Sequence, residues 1–273
     1  MAQDHINEDM IIHDQHVHSY YSFDSQQAIE EYIQKAISLN QDYFVLTDHM
    51  DLNYLSSGRD LDFDIEQERK ELDKLQHKFS NIKLLQGIEI GYVKSEVPKI
   101  NKLLKEHNFD LINFSIHEDG EIDFYYQDEF VKLGTKEVLN RYFDKIIEGL
   151  NSGIDFDVLC HLDFGFKTAY LVDKTLKIEM FKDKVIQIMK RIIEMDKCLE
   201  INIKVQSFIN DEHTEYILNL YKQLGGKNIT LSSDAHKAEV FYEGFPHYLS
   251  LIKKAGFDHV NYFVNRTRFE LKI

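Results

Sequence analysis

The sequence predicts an α/β fold in which a parallel sheet, covered by helices, closes or nearly closes into a barrel. Three observations predict it. Short apolar runs alternate with longer amphipathic stretches seven times, and the connections between them are short. With 2 prolines and 12 glycines in 273 residues, no Pro/Gly/Ser-rich linker, repeat or low-complexity tract divides the chain. A barrel is the economical way to bury such a sheet at this length, so a single domain spanning residues 1–273 is expected.

The elements follow in order. The run MIIHDQHVH is the first strand, and AIEEYIQKAISL is the first helix, with its apolar residues at helical spacing. DYFVLTDH is followed by an insert from Asp51 to Asp64 that reads as a lid or specificity loop, then by a charged helix through Glu66 to Phe79. KLLQGIEIGY, a helix near Val97 to Glu106, FDLINFSIH, a helix from about Lys136 to Leu150 and FDVLCHLD continue the rhythm. A helix from about Leu176 to Met195, CLEINI, a helix near Glu212 to Leu224, NITLSSDAH and a helix from about Tyr248 to Ala255 complete it. The final HVNYFVNRTRFELKI is expected to add one or two closing strands.

Composition narrows the function classes. A formal charge of -15 repels nucleic-acid phosphates over most of the surface, which argues against a DNA or RNA partner and means that an anionic substrate needs a strong local attraction. No apolar run approaches the length of a membrane span, and the N-terminal MAQDHINEDM is acidic where a secretory signal is basic and then apolar, so a cytoplasmic protein is expected. Cys160 and Cys198 each lie in an apolar run and read as buried thiols rather than a disulfide. No surface stripe points to a protein partner, and a monomer or small homo-oligomer is expected.

The 13 histidines are not scattered. Metal-capable residues fall at the C-terminal ends of six predicted strands: Asp14, His16 and His18; Asp48 and His49; Glu89; His117; His161 and Asp163; Asp234 and His236. In a parallel barrel these ends share one rim, where active sites are built. Residues two apart on a strand project to one face, so Asp14, His16 and His18 point inward together while His13 points away to be packed or exposed. His161 with Asp163 and Asp234 with His236 pair likewise, Asp48 and His49 compete unless the strand has ended, and Glu118 faces away from His117. Imidazoles mixed with carboxylates and no thiolate suit Zn²⁺, Mn²⁺ or Fe²⁺ better than Ca²⁺. The set is too large for one ion, which implies two or three divalent cations whose surplus charge supplies the local attraction for an anion.

Taken together, D-Q-H-V-H at Asp14–His18, T-D-H at Thr47–His49, G-I-E at Gly87–Glu89, S-I-H at Ser115–His117, C-H-L-D at Cys160–Asp163 and S-D-A-H at Ser233–His236 resemble the polymerase and histidinol phosphatase (PHP) family over nearly the whole chain. The resemblance implies a distorted (β/α)7 barrel with a trinuclear metal site at the C-terminal ends of the strands. It places His16, His18, Glu89 and Asp234 around one ion, Glu89, His117 and His161 around a second, and His49 and His236 with Asp24 around a third. Asp24 reads alternatively as the cap of a helix starting near Gln26.

S-Y-Y-S-F-D-S after His18 and E-I-N at Glu200–Asn202 resemble the histidinol-phosphatase branch, which implies hydrolysis of the small phosphate ester L-histidinol phosphate to L-histidinol and phosphate. The alternatives are another small ester or nucleotide, or a metal-stabilised scaffold without turnover. An arginine-rich segment expected after His161 is replaced by D-F-G-F-K-T-A-Y, leaving Lys167, with Arg59 in the insert, as candidate phosphate-binding cations. Asp14, Asp163 or an unliganded histidine such as His236 are the candidate general acids, the two carboxylates reading equally as orienters of ligand imidazoles. Glu118, Asp119, Tyr54 and Phe166, on rim loops, are candidates for an acidic or aromatic wall around the imidazole and amine of the substrate.

Overall fold

The computed structural model describes residues 12–273, so Met10 and Ile11 of the first predicted strand, and the acidic segment before them, lie outside the described residues. Ten strands follow in chain order: β1 Tyr43–Leu46, β2 His49–Tyr54, β3 Arg59–Leu61, β4 Lys83–Gly91, β5 Leu111–Ser115, β6 Val158–Leu159, β7 Cys198–Asn202, β8 Ile229–Ser232, β9 His259–Val264 and β10 Thr267–Lys272.

From β4 to β8 each strand pairs in parallel with the next, in the order of the sequence. On the other side of β4 lie β1 and β2. Tyr43 pairs with Lys83 and His49 with Glu89, the same offset, so β1 and β2 are two halves of one barrel strand interrupted at Thr47 and Asp48. The expected first strand is reduced to one bridge, Val17 with Ala235, yet it still closes the ring. The His18 amide donates to the Ala235 carbonyl (2.9 Å) and the Thr47 amide donates to the Val17 carbonyl (2.9 Å), which seats this segment between β8 and β1. The result is a distorted seven-stranded (β/α) barrel.

Helices cover the outside because each presents an apolar stripe. In Ile29–Ser38 the buried residues are Ile29, Tyr32, Ile33 and Ala36, the i, i+3, i+4, i+7 pattern. Helix Ile65–Lys78 starts where Asp64 Oδ1 accepts from the Gln67 amide (2.9 Å), and helix Asp211–Gln223 starts where Asn210 accepts from His213 (2.9 Å). The insert after β2 folds back as the antiparallel strand β3 instead of an open loop.

Alternation along the strands divides the barrel interior into two layers. Val45, Leu85, Leu111, Val158, Cys160 and Cys198 form an apolar lower cluster, plugged by Phe263 and Val264. Burying a phenylalanine such as Phe263, 3% exposed, contributes about 1.5–3 kcal/mol. The C-terminal segment therefore differs from expectation. β9 and β10 pair only with each other, as an antiparallel hairpin, and cap the bottom of the barrel without closing its sheet. Gln15 Oε1 accepts from the Phe263 amide (2.9 Å), and Asp110 Oδ1 accepts from the Asn265 amide (3.0 Å), fixing the cap. Further up the strands the inward positions turn polar, two residues on at Asn113 and Glu200 and four residues on at Glu89, all three buried. No helix among the described residues is long and apolar enough to cross a membrane.

Candidate metal centre

The upper layer of the barrel converges on Glu89. Its carboxylate lies 3.0 Å from His16 Nε2, 3.3 Å from His18 Nε2, 3.0 Å from His49 Nδ1, 3.3 Å from His117 Nε2 and 2.9 Å from His161 Nε2. Glu89 is 0% exposed. Despite these distances, His16 Nε2, His18 Nε2, His49 Nδ1 and Glu89 Oε2 have no hydrogen-bond partner. The atoms crowd together without the geometry of donors aimed at acceptors, which is costly for buried polar groups unless something else satisfies them.

Ligand-capable atoms lie within 4.8 Å of one another in the groups His16–His18–Glu89, His49–Glu89–His117, His16–His161–Asp234 and His18–His49–His236. A nitrogen and oxygen donor set with orphaned buried atoms at its centre fits divalent cations. Asp24 completes the outermost group, with Oδ2 2.9 Å from His236 Nε2 and 3.7 Å from His49 Nε2. It caps no helix: the nearby helix begins at Ile29 with Ala28 at its cap and no side-chain bond.

Backbone geometry aims two of these groups. His161 (φ 23°) and Asp234 (φ 53°) sit in the left-handed region just beyond β6 and β8, turning their side chains into the mouth at the ends of very short strands. The same turn carries Asp163 out of the cluster.

Electrostatics follow from burial and neighbours. Burial pushes Glu89 and Asp234 upward, but the imidazoles around Glu89, and Lys204 with His16 around Asp234, outweigh it and hold both well below the usual carboxylate range. Burial pushes His16 and His49 downward, and the facing carboxylates reverse this and hold both well above the ordinary histidine value. His117 stands at about 10, burial being outweighed by Asp51 and Glu89. His18, flanked by His49 and His236, is held well below by burial and by those like charges.

Residues that sequence reasoning missed orient this array. Glu200 Oε1 lies 2.7 Å from His16 Nδ1, Asp51 Oδ1 lies 2.7 Å from His117 Nδ1, and Ser22 Oγ lies 3.1 Å from His18 Nδ1. Each turns the opposite ring nitrogen toward Glu89, the arrangement that fixes tautomer and direction in metal-ligating histidines. Asn202 donates to both Glu200 Oε2 (3.1 Å) and Asp234 Oδ2 (3.1 Å) and caps the short helix Ile203–Gln206. That helix projects Lys204, whose Nζ lies 3.2 Å from Asp234 Oδ1 and 3.0 Å from His236 Nδ1. Asp48 is not a competitor of His49: it accepts from the Ser19 amide and from the hydroxyls of Ser19 and Ser22 (2.6 Å each) and so pins the loop that carries Asp24.

Several expectations need correction. Asp14 is 3% exposed and both its oxygens are taken, by Ser233 and by the His16 amide, so it braces the backbone behind the cluster and orients no imidazole. Its carboxyl rises to about 7 through burial. Asp163 is bound instead to His213 Nε2 (2.8 Å) and stands outside every ligand group. Arg59 is exposed on β3, paired through its backbone with Tyr54, and makes no contact with the cluster.

The expected imidazole wall also disperses. Phe166 is buried against His213, Asp119 pairs with Arg141 (2.7 Å), Glu118 accepts from the Leu55 amide and Tyr54 packs near Phe23. Lys167 lies with Nζ 4.5 Å from the Phe164 ring centroid and 6.0 Å from that of Phe208. Both cysteines are free and buried, and burial pushes the Cys160 thiol up, away from the thiolate. His13 packs edge-on against Tyr43 and Tyr262 at the bottom of the barrel. Beside the cluster opens a cavity of about 510 Å³ whose lining includes Asp234, His236, Lys204 and Phe208.

This constellation has known counterparts. The chain is 29% identical over 250 residues to the histidinol-phosphatase of Lactococcus lactis, covering 89% of this chain and 91% of that one. It is 30% identical over 230 residues to a probable histidinol-phosphatase of Clostridium acetobutylicum, covering 83% and 87%. Among solved structures, the Lactococcus lactis histidinol phosphate phosphatase in complex with zinc, L-histidinol and phosphate matches with a TM-score of 0.85 at 25% identity, over 94% of this chain and 98% of that one. The family model for the PHP domain matches residues 14–204, and the chain therefore belongs to the PHP domain family.

Proposed function

We propose that this protein is a phosphomonoesterase that hydrolyses L-histidinol phosphate to L-histidinol and phosphate, with two or three divalent ions, zinc, manganese or iron, as cofactor. The observation that carries this reading is the set of buried, unpartnered ligand atoms around Glu89, in a cluster whose members Asp234 and His236 line a cavity. Two relatives named for the same reaction, each aligned over more than four-fifths of both chains, support it.

His16, His18, Glu89 and Asp234 would hold one ion, Glu89, His117 and His161 a second, and His49, His236 and Asp24 a third. When bound, such ions make water a competent nucleophile near neutral pH, lowering its pKa from about 15.7 to about 7, and take up charge from phosphoryl oxygens. The protein supplies the rest. Glu200, Asp51 and Ser22 keep the ligand rings in register, and the barrel floor beneath them excludes water. Lys204, poised on Asp234 and His236, and Lys167 across the rim present two cations to a phosphate dianion on an otherwise acidic protein.

The direct test is phosphate release from L-histidinol phosphate beside sugar phosphates, nucleotides and an oligonucleotide, with protein reconstituted separately with Zn²⁺, Mn²⁺ and Fe²⁺. Selective turnover of L-histidinol phosphate is the expected result. Turnover of a different ester alone refutes the substrate, and silence from metal-loaded protein refutes the enzyme.

A pH dependence follows from Lys167, which burial, then the nearby Lys204, brings down to about 8. Its charge is present below that value and is lost as pH rises through it, well before an ordinary lysine discharges. KM for the dianionic ester is expected to climb above pH 8, and Lys167→Arg, which keeps its charge throughout, is expected to shift the climb to higher pH. Identical pH profiles for wild type and variant would remove Lys167 from phosphate binding.

A further inference from the structure

The cavity beside the cluster shares Asp234 and His236 with it. An ester whose phosphate sits at the cluster can therefore place its alcohol portion in this space, whose volume of about 510 Å³ is that of a small-molecule site. Phe208, Val240 and Tyr248 give it apolar and aromatic walls. Its charges are unequal in their commitments. Of its two lysines, Lys204 is engaged by Asp234 and His236, on the cluster side, and Lys237, the residue after His236, is exposed. Of the two carboxylates in the lining, Asp234 belongs to the cluster, which leaves Glu243.

Glu243 is exposed but held on a tight turn. Its amide donates to the Val240 carbonyl (3.1 Å), and Gly244 follows with φ +79° at the start of helix Phe245–Lys254, so close to the short helix bearing Lys204 that an added Cβ would lie 3.0 Å from Ile203 Cγ2. The carboxylate is thus carried by a fixed wall of the cavity.

We infer that Glu243 is the specificity-determining residue that receives the ammonium group of an amino-alcohol leaving group, while Phe208 and Tyr248 take its heteroaromatic ring. The inference rests on the proposed reaction and names the residues that choose its substrate. Lys204 on the cluster residues Asp234 and His236, and a lining carboxylate that belongs to no ligand group, match an ester that is anionic at one end and cationic at the other. The same carboxylate opposes a leaving group bearing a second phosphate, as in a nucleotide or sugar bisphosphate, so it selects by repulsion as well as attraction.

The test compares metal-loaded wild type and Glu243→Gln on L-histidinol phosphate and on its deamino analogue, the same imidazolyl-alkyl phosphate without the amine, with kcat and KM measured separately. A hydrogen bond to a charged group is lost, so KM for L-histidinol phosphate is expected to rise about ten- to a hundredfold with little change in kcat, and the preference for the amine-bearing ester to collapse. Glu243→Lys is expected to reverse that preference. If wild type prefers L-histidinol phosphate and Glu243→Gln keeps the same preference, the Glu243 assignment fails and the proposed reaction stands. If wild type turns over other esters and not L-histidinol phosphate, the proposed reaction fails and the assignment falls with it.

Discussion

Replacing Glu89 with Gln is expected to strip the protein of bound metal and to lower kcat about a thousandfold, since the several kcal/mol that metal ions contribute to a phosphoryl-transfer barrier convert at about 1.36 kcal/mol per tenfold. The size of the effect follows from position. Among the described residues, Glu89 is the carboxylate that approaches His16, His18, His49, His117 and His161 together, and in the proposed scheme it would serve two ions. An amide of nearly the same shape leaves the packing intact but removes the negative charge that offsets a ring of imidazoles. In the metal-free protein the change is costly as well, because removing one partner of a buried ion pair costs about 3–5 kcal/mol. Metal content by elemental analysis is therefore read alongside turnover and thermal melting. A variant that keeps its full metal complement and wild-type kcat would show that Glu89 is only a structural counter-ion.

Much of the cluster was legible from the chain because the residues in and behind it obey strand arithmetic. Asp14, His16 and His18 alternate along one extended segment, and Glu89 shares a face with Leu85 two pairs below, so period-two reading and the rule that barrel sites sit at C-terminal strand ends find them together. What escaped depends on which strand lies beside which. Nothing near Glu200 in sequence shows that β7 brings it against His16, a separation of 184 residues, and Asp51 looked like the start of a loop. Lys204 was hidden for a different reason: it follows a strand by two residues, but only the Asn202 cap turns the chain sharply enough to send it back over Asp234.

The errors have local causes too. Asp163 has the right spacing from His161 for a shared strand face, but β6 ends at Leu159 and the left-handed backbone at His161 breaks the alternation before Asp163 is reached. The C-terminal segment was expected to close the barrel, but its alternation of apolar and polar residues is equally the signature of an antiparallel hairpin with one face on a core. Arg59 was judged from the charge its substrate needs, and charge alone says nothing about where a hairpin points its side chains.

Gly91→Ala is expected to weaken metal binding and activity ten- to a hundredfold, the usual cost of disturbing a residue that orients a ligand, although Gly91 has no side chain with which to bind a metal or a substrate. Gly91 ends β4, two residues beyond Glu89, and its inward face is filled by the Asp51–His117 pair. An added Cβ would fall on Asp51 Oδ1, 2.7 Å from Asp51 Cγ and 3.3 Å from His117 Nδ1. Asp51 cannot easily yield, for it is 2% exposed and lies 3.3 Å from His49 Nδ1 on its other side. Displacing it frees the His117 ring to rotate away from Glu89, and removes the carboxylate that holds His117 near about 10. The mechanism is separable from a general loss of packing by a double-mutant cycle. Asp51→Ala alone should reproduce most of the loss of metal affinity, and adding Gly91→Ala to it should cost little more, because the Cβ then enters space that the carboxylate has vacated. If instead the two losses add in full, the alanine acts on the strand itself, and Gly91 has no part in orienting His117.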